Sequence, residues 1–336
     1  MDFPIEIALI VALLAIAHIG IYLWVSKKPQ RPIQNRHVVV TGGSSGIGFW
    51  IAVKCAQLGA HVTIVARNVE KLESALKKIQ VHKVNDKQMI QCRSVDLSSN
   101  YENVKNALSA LEEEIAPIYF LVNCAGGAIC GRVDELSPDD AVYLMNINYF
   151  SVYYPTRYIL TKMKEKGDGI ITITGSQASL MGVYGLGPYA VAKFALRGLA
   201  ETIAMEVSNT KISITLALPA DTDTPGFENE NLTKPEETKT ISGGAGLAKP
   251  EDMATVILND SLIGNFISIS GFESWLLTIV CSGMSPWGGL LFTVLQSIIL
   301  GPLRFVAYGI QWHCRNVVKT CAQKQTSNTS AAKKDE

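Results

Sequence analysis

The chain has 336 residues, enough for one large α/β domain with appendages. Its 30 basic and 30 acidic residues balance to a formal charge of +0, so no long-range field argues for a nucleic acid or an acidic partner. Hydrophobic residues make up 48%, and the five histidines are scattered without an HExxH pattern, which points to apolar surroundings and to no metal site.

Residues 5–25 are an apolar run close to the ~20 residues that a membrane-spanning helix needs. Asp2 and Glu6 lie at its start, and Lys27, Lys28, Arg31 and Arg36 follow it. Positive charge stays on the cytosolic side, so residues 1–30 read as an anchor with the bulk of the chain in the cytosol. A cleaved signal peptide is the alternative, although no small-residue cleavage pattern precedes Lys27.

From His37 onward short apolar strands alternate with helical periods. Strands are expected at 37–41, 61–66, 89–95, 118–122, 170–174, 212–218 and 265–270. This alternation predicts a doubly wound parallel sheet of about seven strands, a Rossmann fold, over residues 31–272. Cys55, Cys92, Cys124 and Cys130 fall in or beside its core elements, and with no CxxC pair they read as reduced, buried thiols.

Gly42, Gly46 and Gly48, in TGGSSGIG, follow the first strand and open a helix. Glycines there let the backbone turn sharply and approach a pyrophosphate, which the helix amino terminus then faces. Gly42, Ser44, Ser45, Gly46, Ile47 and Gly48 are therefore the expected dinucleotide cradle. Arg67 stands at the end of the second strand, where NAD sites carry an acid. A guanidinium forks onto a 2′-phosphate, so the cofactor expected is NADPH.

Reducing a ketone needs an acid for the forming alkoxide and a donor that orients the carbonyl. Tyr and Lys four apart share one helix face, so YxxxK supplies a phenol and a nearby cation. Three such pairs occur: Tyr101/Lys105, Tyr158/Lys162 and Tyr189/Lys193. Only Tyr189 has a serine thirteen residues upstream, Ser176, just past a strong strand. The carboxyl edge of the sheet, where ligands bind in this architecture, is thereby occupied by Ser176, Tyr189 and Lys193. Lys193 is expected to bind ribose hydroxyls and lower the phenol's pKa, Tyr189 to donate the proton and Ser176 to hold the substrate oxygen. The other two pairs read as solvated helix faces.

The TGxxxGxG spacing and the Ser176, Tyr189, Lys193 set resemble those of the short-chain dehydrogenases/reductases, over roughly residues 36–271. The resemblance implies that Asp96 contacts the adenine and that Asn123, in Asn123-Cys124-Ala125-Gly126, holds the sheet centre beside the cofactor. It implies that Asn148 holds a proton-relay water, with Asn146 as competitor and Ser151 favouring Asn148. Thr224 falls where the family touches the nicotinamide amide. Departures are Cys124, Gly175 and Ala220, none of which removes a catalytic group. Residues 229–246, polar and glycine-rich, read as a mobile loop over the substrate.

After Gly271 the chain is apolar again, with Pro286, Gly301 and Pro302 interrupting it. Residues 273–314 read as a membrane-associated region that lies on the bilayer or crosses it twice; a substrate lid or dimer face is the other reading. Residues 315–336 read as a polar cytosolic tail, without order from Lys319 on. Lys333-Lys334 near the carboxyl end resembles a dilysine retrieval signal of endoplasmic-reticulum membrane proteins. Within the family, Ser176-Gln177-Ala178, the DTDTPGF stretch and Gly283-Met284-Ser285-Pro286 resemble the members that act on long-chain keto-sphingoid bases in sphingolipid synthesis. The implied partners are such a base and the bilayer, at the cytosolic face of the endoplasmic reticulum, with a homo-oligomer left open. A steroid or retinoid carbonyl is the alternative substrate, and a non-enzymatic cofactor-binding scaffold the alternative function.

Overall fold

The computed structural model describes residue 20 and residues 29–243, 246–285 and 289–332. The expected anchor therefore lies almost wholly outside the described residues, and the dilysine pair wholly so. Seven parallel strands form one sheet in the order β3-β2-β1-β4-β5-β6-β7. They are β1 (His37–Thr41), β2 (His61–Ala66), β3 (Ile90–Ser94), β4 (Ile118–Asn123), β5 (Asp168–Thr174), β6 (Lys211–Ala217) and β7 (Ile267–Ser268). Each expected strand is present, the last reduced to two residues.

Alternation along β1 shows how the sheet is covered. Val38 and Val40 pack into one core with α1 (Gly46–Gln57), α2 (Val69–Gln80) and α9 (Pro250–Ile263). Val39 packs into the other, with α3 (Tyr101–Glu114), α5 (Ser151–Lys166) and α6 (Gly187–Glu206). A strand buried on both faces needs an apolar centre, here Val38–Val40, and its buried His37 is hydrogen-bonded to the Ala116 carbonyl and Thr63 Oγ1. The helices follow from period and caps. In α2, Asn68 accepts from the Lys71 amide at 2.8 Å, and Leu72, Ala75 and Ile79 form the buried stripe. Ser137 and Asp140 close a capping box ahead of α4 (Pro138–Met145).

Arg31 has a structural task that its place after the expected anchor did not suggest. Its guanidinium donates to the Gly169 carbonyl and Ser213 Oγ, each at 2.9 Å, and to the Tyr119 hydroxyl at 2.7 Å, and it pairs with Asp168. It thus ties β4, β5 and β6 together at their amino-terminal ends.

Two expectations are corrected by the chain's later course. Residues 229–246 are not a loop: α7 (Pro225–Thr233) and α8 (Glu236–Ser242) occupy most of the stretch. Thr224 caps α7 by accepting from the Phe227 amide at 3.1 Å, and Pro225 presets its first turn. Glu237 and Thr238 are buried. Past α10 (Phe272–Val280), α11 runs unbroken over Gly289–Ala332, through Gly301, Pro302 and the tail expected to lack order. Phe292, Ile299 and Leu303 of α11 join the core with Trp275 and Ile279 of α10, which holds the helix across its proline. Leu290, Phe305, Tyr308 and Trp312 remain exposed. Within α11, residues Phe292–Lys324 meet the length and apolarity of a membrane span, by length and composition only.

Candidate active site

The strand order reverses direction between β1 and β4, and a crevice opens at their carboxyl ends. A cavity of about 400 Å³ lies there. It is lined by Gly42 and Ser44 to Gly48, by Ala66, Arg67, Asn68 and Lys71, by Asp96 to Ser98, and by Cys124 to Gly126, Ser151, Thr174, Thr224 and Asn229, among others. Gly42 has φ +66° and presses so close to the next strand end that a Cβ would lie 2.7 Å from the Cys124 carbonyl oxygen. At Gly48 a Cβ would lie 2.6 Å from the Gly42 carbonyl oxygen, so the turn closes on itself only without side chains. This bare backbone cradle at the start of α1 fits a dinucleotide pyrophosphate.

The cavity brings together most of the expected cofactor residues. Arg67 and Lys71, both exposed, put two cations at the β2 end. Lys71 was not foreseen; its position one turn into α2, three residues after the Asn68 cap, is the signal that could have found it. Asp96 is held below the usual carboxylate range, chiefly by a hydrogen bond from the Ser98 hydroxyl at 2.7 Å. Thr224 also borders Gly46, whose Cβ would sit 2.9 Å from Thr224 Cγ2. Asn123 stands apart: it is buried, its amide donates to Thr156 Oγ1 at 3.0 Å, and it does not line the cavity. Its neighbour Cys124 faces the site instead, with Sγ 3.1 Å from Thr174 Oγ1 and its thiol pushed up to about 11 by burial.

Ser176 lies two residues beyond β5 and caps a short turn at Gln177–Ser179, accepting from the Ala178 amide at 3.1 Å. Tyr189 and Lys193 lie one turn apart on α6, with the ammonium 5.6 Å from the phenol ring centre. The Ser176 hydroxyl lies near enough to the phenol to act on its pKa. Lys193 is buried and donates to the Thr174 carbonyl at 3.1 Å. Asn148 sits in a wide π turn, Asn146–Phe150, between α4 and α5, a distortion frequent at functional sites. Its side chain donates to the carbonyls of Gly127 at 2.8 Å and Leu144 at 3.0 Å. A Cβ at Gly126 would lie 2.7 Å from Asn148 Oδ1 and 3.5 Å from Lys193 Nζ, so amide and ammonium border the same small space.

One electrostatic expectation is reversed. The phenol of Tyr189 is held well above its ordinary pKa, first by burial and then by the charge of Glu230, with the Ser176 hydroxyl opposing. Burial also lowers Lys193 to about 8, and its ammonium is spent on the Thr174 carbonyl rather than on the phenol. The rival pairs have structural duties. Tyr158 is buried, not solvated, and donates to Glu112 Oε2 at 2.9 Å. The Tyr101 ring carries Arg157 at 4.3 Å, and Lys105 pairs with Glu102 at 3.0 Å.

A second, larger cavity of about 1180 Å³ is lined by chain neighbours of Ser176 and Lys193. Gln177 and Phe194, the residues that follow Ser176 and Lys193, line it with Leu180, Val183, Leu276, Leu277, Leu303 and Ala307. Its walls are thus α10, α11 and the segment after β5. Sequence reading missed it because the two helices are distant in the chain from the catalytic residues.

Residues 36–235 match the model of the short chain dehydrogenase family. A 3-ketodihydrosphingosine reductase of Mus musculus is 42% identical over 297 residues, covering 88% of this chain and 89% of that protein. A 3-dehydrosphinganine reductase of Danio rerio is 40% identical over 311 residues, covering 93% of each. One from Arabidopsis thaliana is 32% identical over 300 residues, covering 88% and 89%. Among solved structures, levodione reductase superposes with a TM-score of 0.65 at 24% identity over 72% of this chain and 99% of that one, a likeness of fold alone. With the glycine cradle, the Ser176, Tyr189 and Lys193 set and these relatives in agreement, the chain belongs to the short-chain dehydrogenase family, whose members work with a nicotinamide dinucleotide.

Proposed function

We propose that the protein reduces 3-ketodihydrosphingosine to dihydrosphingosine with NADPH, a step of sphingolipid synthesis. The observation that carries this reading is adjacency: Thr174, whose carbonyl Lys193 holds, lines the glycine-rich cavity, and Gln177 and Phe194, next in the chain to Ser176 and Lys193, line the large apolar one. Gly42 to Gly48 would hold the pyrophosphate, Arg67 and Lys71 the 2′-phosphate, Asp96 the adenine and Lys193 the ribose hydroxyls next to the nicotinamide. When bound, the reduced nicotinamide supplies the hydride.

The protein's own part is to hold the ketone and deliver a proton. The Ser176 hydroxyl orients the carbonyl oxygen. As charge grows on that oxygen, the Tyr189 phenol donates to it. Burial and the Glu230 charge keep the phenol protonated, the state that a reduction starts from. Lys193 and Asn148, bordering one space beside Gly126, lie where a proton could be resupplied.

The apolar cavity suits the alkyl chain, since each methylene moved out of water is worth about 0.8 kcal/mol. The same reading supports a membrane enzyme with its catalytic domain on the cytosolic face of the endoplasmic reticulum. The outward Leu290, Phe305, Tyr308 and Trp312 of α11 suit a bilayer surface, and α11 also walls the cavity, so lipid could enter without crossing water.

The test is purified protein in detergent with 3-ketodihydrosphingosine and NADPH or NADH, product read by mass. Dihydrosphingosine should form with NADPH, and Tyr189→Phe should lose at least about a thousandfold in turnover while still binding dinucleotide. Efficient reduction of steroid or retinoid ketones, with none of the sphingoid base, would sink the reading.

A further inference from the structure

Helix α10 is tied at both ends to the two segments that carry the catalytic side chains. At its first turn, Gln177 Nε2 donates to the buried Ser274 hydroxyl at 2.7 Å. Gln177 is the residue after Ser176. Just past the last turn of α10, Arg197 Nη2 donates to the Ser282 carbonyl at 2.8 Å and to Ser285 Oγ at 2.9 Å. Arg197 lies one turn beyond Lys193 on α6.

Both ties are largely out of water. The Arg197 side chain is 15% exposed, and its Nε donates to Glu201 Oε1 at 2.8 Å. The Ser285 hydroxyl bonds the same carboxylate. Gly283, with φ +55°, lets the guanidinium approach, since a Cβ there would lie 3.3 Å from Arg197 Nη2. Charge-assisted bonds of this kind are among the stronger ones in a protein. At the other end, the Ser274 carbonyl accepts from Thr278 Oγ1 at 2.7 Å, which stiffens the turn that Gln177 grips. Between the ties, α10 presents Leu276, Leu277 and Val280 to the large apolar cavity, and Phe194 lines it from α6.

The wall of the cavity is therefore bonded to the serine segment on one side and to the tyrosine–lysine helix on the other. Energy from binding a remote part of a substrate raises turnover when it is used to align the reacting groups. Packed side chains joined by hydrogen bonds are the physical means of passing such a constraint. We propose that α10 couples filling of the apolar cavity to the alignment of Ser176 with Tyr189, so that a long alkyl chain raises kcat as well as lowering KM. Gln177 and Arg197 are the positioning residues of this coupling.

This inference rests on the proposed function and is tested apart from it. The probes are a long-chain keto-sphingoid base and a short-chain homologue, with kcat and KM read separately for each. In wild type, kcat should be roughly fivefold or more higher for the long chain, about the worth of one hydrogen bond. Ser274 lines neither cavity. Ser274→Ala should bring the long-chain kcat down to near the short-chain value, while the long chain keeps its lower KM. Ser274→Thr keeps a hydroxyl and should retain most of the difference. Arg197→Met should narrow the kcat ratio from the other end. Gln177→Met added to Ser274→Ala should narrow it no further, because both act through one bond. Dinucleotide binding by fluorescence shows that each variant is folded, and the two ends of α10 supply independent variants. Equal losses of kcat on both homologues in the folded variants, or a wild-type kcat indifferent to chain length, would overturn the inference while leaving the reductase reading intact. A wild type that reduces neither homologue would overturn both.

Discussion

Lys193 donates to the Thr174 carbonyl at 3.1 Å, which ties the helix carrying the phenol to the end of the strand that leads to Ser176. That bond lies in a buried place and has a consequence for stability against pH. Burial lowers Lys193 to about 8, whereas an unfolded lysine titrates near ~10.4. Between these values the unfolded chain binds a proton that the native chain does not, so this group makes stability rise with pH. The buried thiols of Cys55 and Cys124 act the other way, because their raised pKa leaves them protonated in the native state only. The prediction is therefore a difference. For cofactor-free protein, the urea stability of wild type relative to Lys193→Met should grow from pH 8 to about 9.5. A difference that is flat or shrinking over that range would mean that Lys193 is not desolvated. Tyr189 enters only at higher pH, where the unfolded phenol loses its proton first.

Cofactor choice should depend on the two cations at the β2 end. Arg67 can grip a 2′-phosphate in a fork, and Lys71 adds a point charge from the first turn of α2. In Arg67→Ala the KM for NADPH should rise about tenfold or more, and in Lys71→Ala by less. The KM for NADH should move little in both. An equal rise for the two cofactors would instead assign Arg67 to the shared part of the dinucleotide.

Arg31 should matter for stability and not for turnover. Its guanidinium bonds to groups on three strands, well away from the carboxyl-edge crevice. Arg31→Ala should lower stability by about 2–3 kcal/mol, because it strips the partner from Asp168 and several charge-assisted bonds. Denaturant midpoints should fall with kcat unchanged. A variant as stable as wild type would return Arg31 to a purely topogenic role.

What the sequence made legible was local. The β1–Gly42–Gly48–α1 unit and the strand set are short-range patterns, and each appears where the pattern put it; the Ser176, Tyr189, Lys193 spacing is short-range too. Asn148 was legible too, but the π turn that aims it was not, because one extra residue in a helical turn leaves no mark in the periodicity. The raised pKa of Tyr189 comes first from burial and then from the charge of Glu230, forty-one residues away in the chain, and only folding supplies either. Residues 229–246 were read from composition, and capping by Thr224 with packing of Glu237 and Thr238 outweighed it. Pro302 was read as a break, yet burial of Ile299 and Leu303 on either side holds the helix through it.

The apolar cavity makes a prediction about chain length. It is walled by Leu276 and Leu277 of α10, Leu303 and Ala307 of α11, and Leu180 and Val183 after β5. If it takes the alkyl chain, filling it should penalise long substrates and spare short ones. Ala307→Trp places an indole in the cavity at a helical position that carries no catalytic group. The kcat/KM for a long-chain keto-sphingoid base should fall relative to that for a short-chain homologue by roughly tenfold, the worth of about two methylenes kept in water. Wild type should show the reverse trend, with kcat/KM rising as methylenes are added until the cavity is full. Equal losses on both homologues would mean that the tail lies elsewhere, against the bilayer or along the exposed face of α11, and that the space between α10 and α11 serves packing alone.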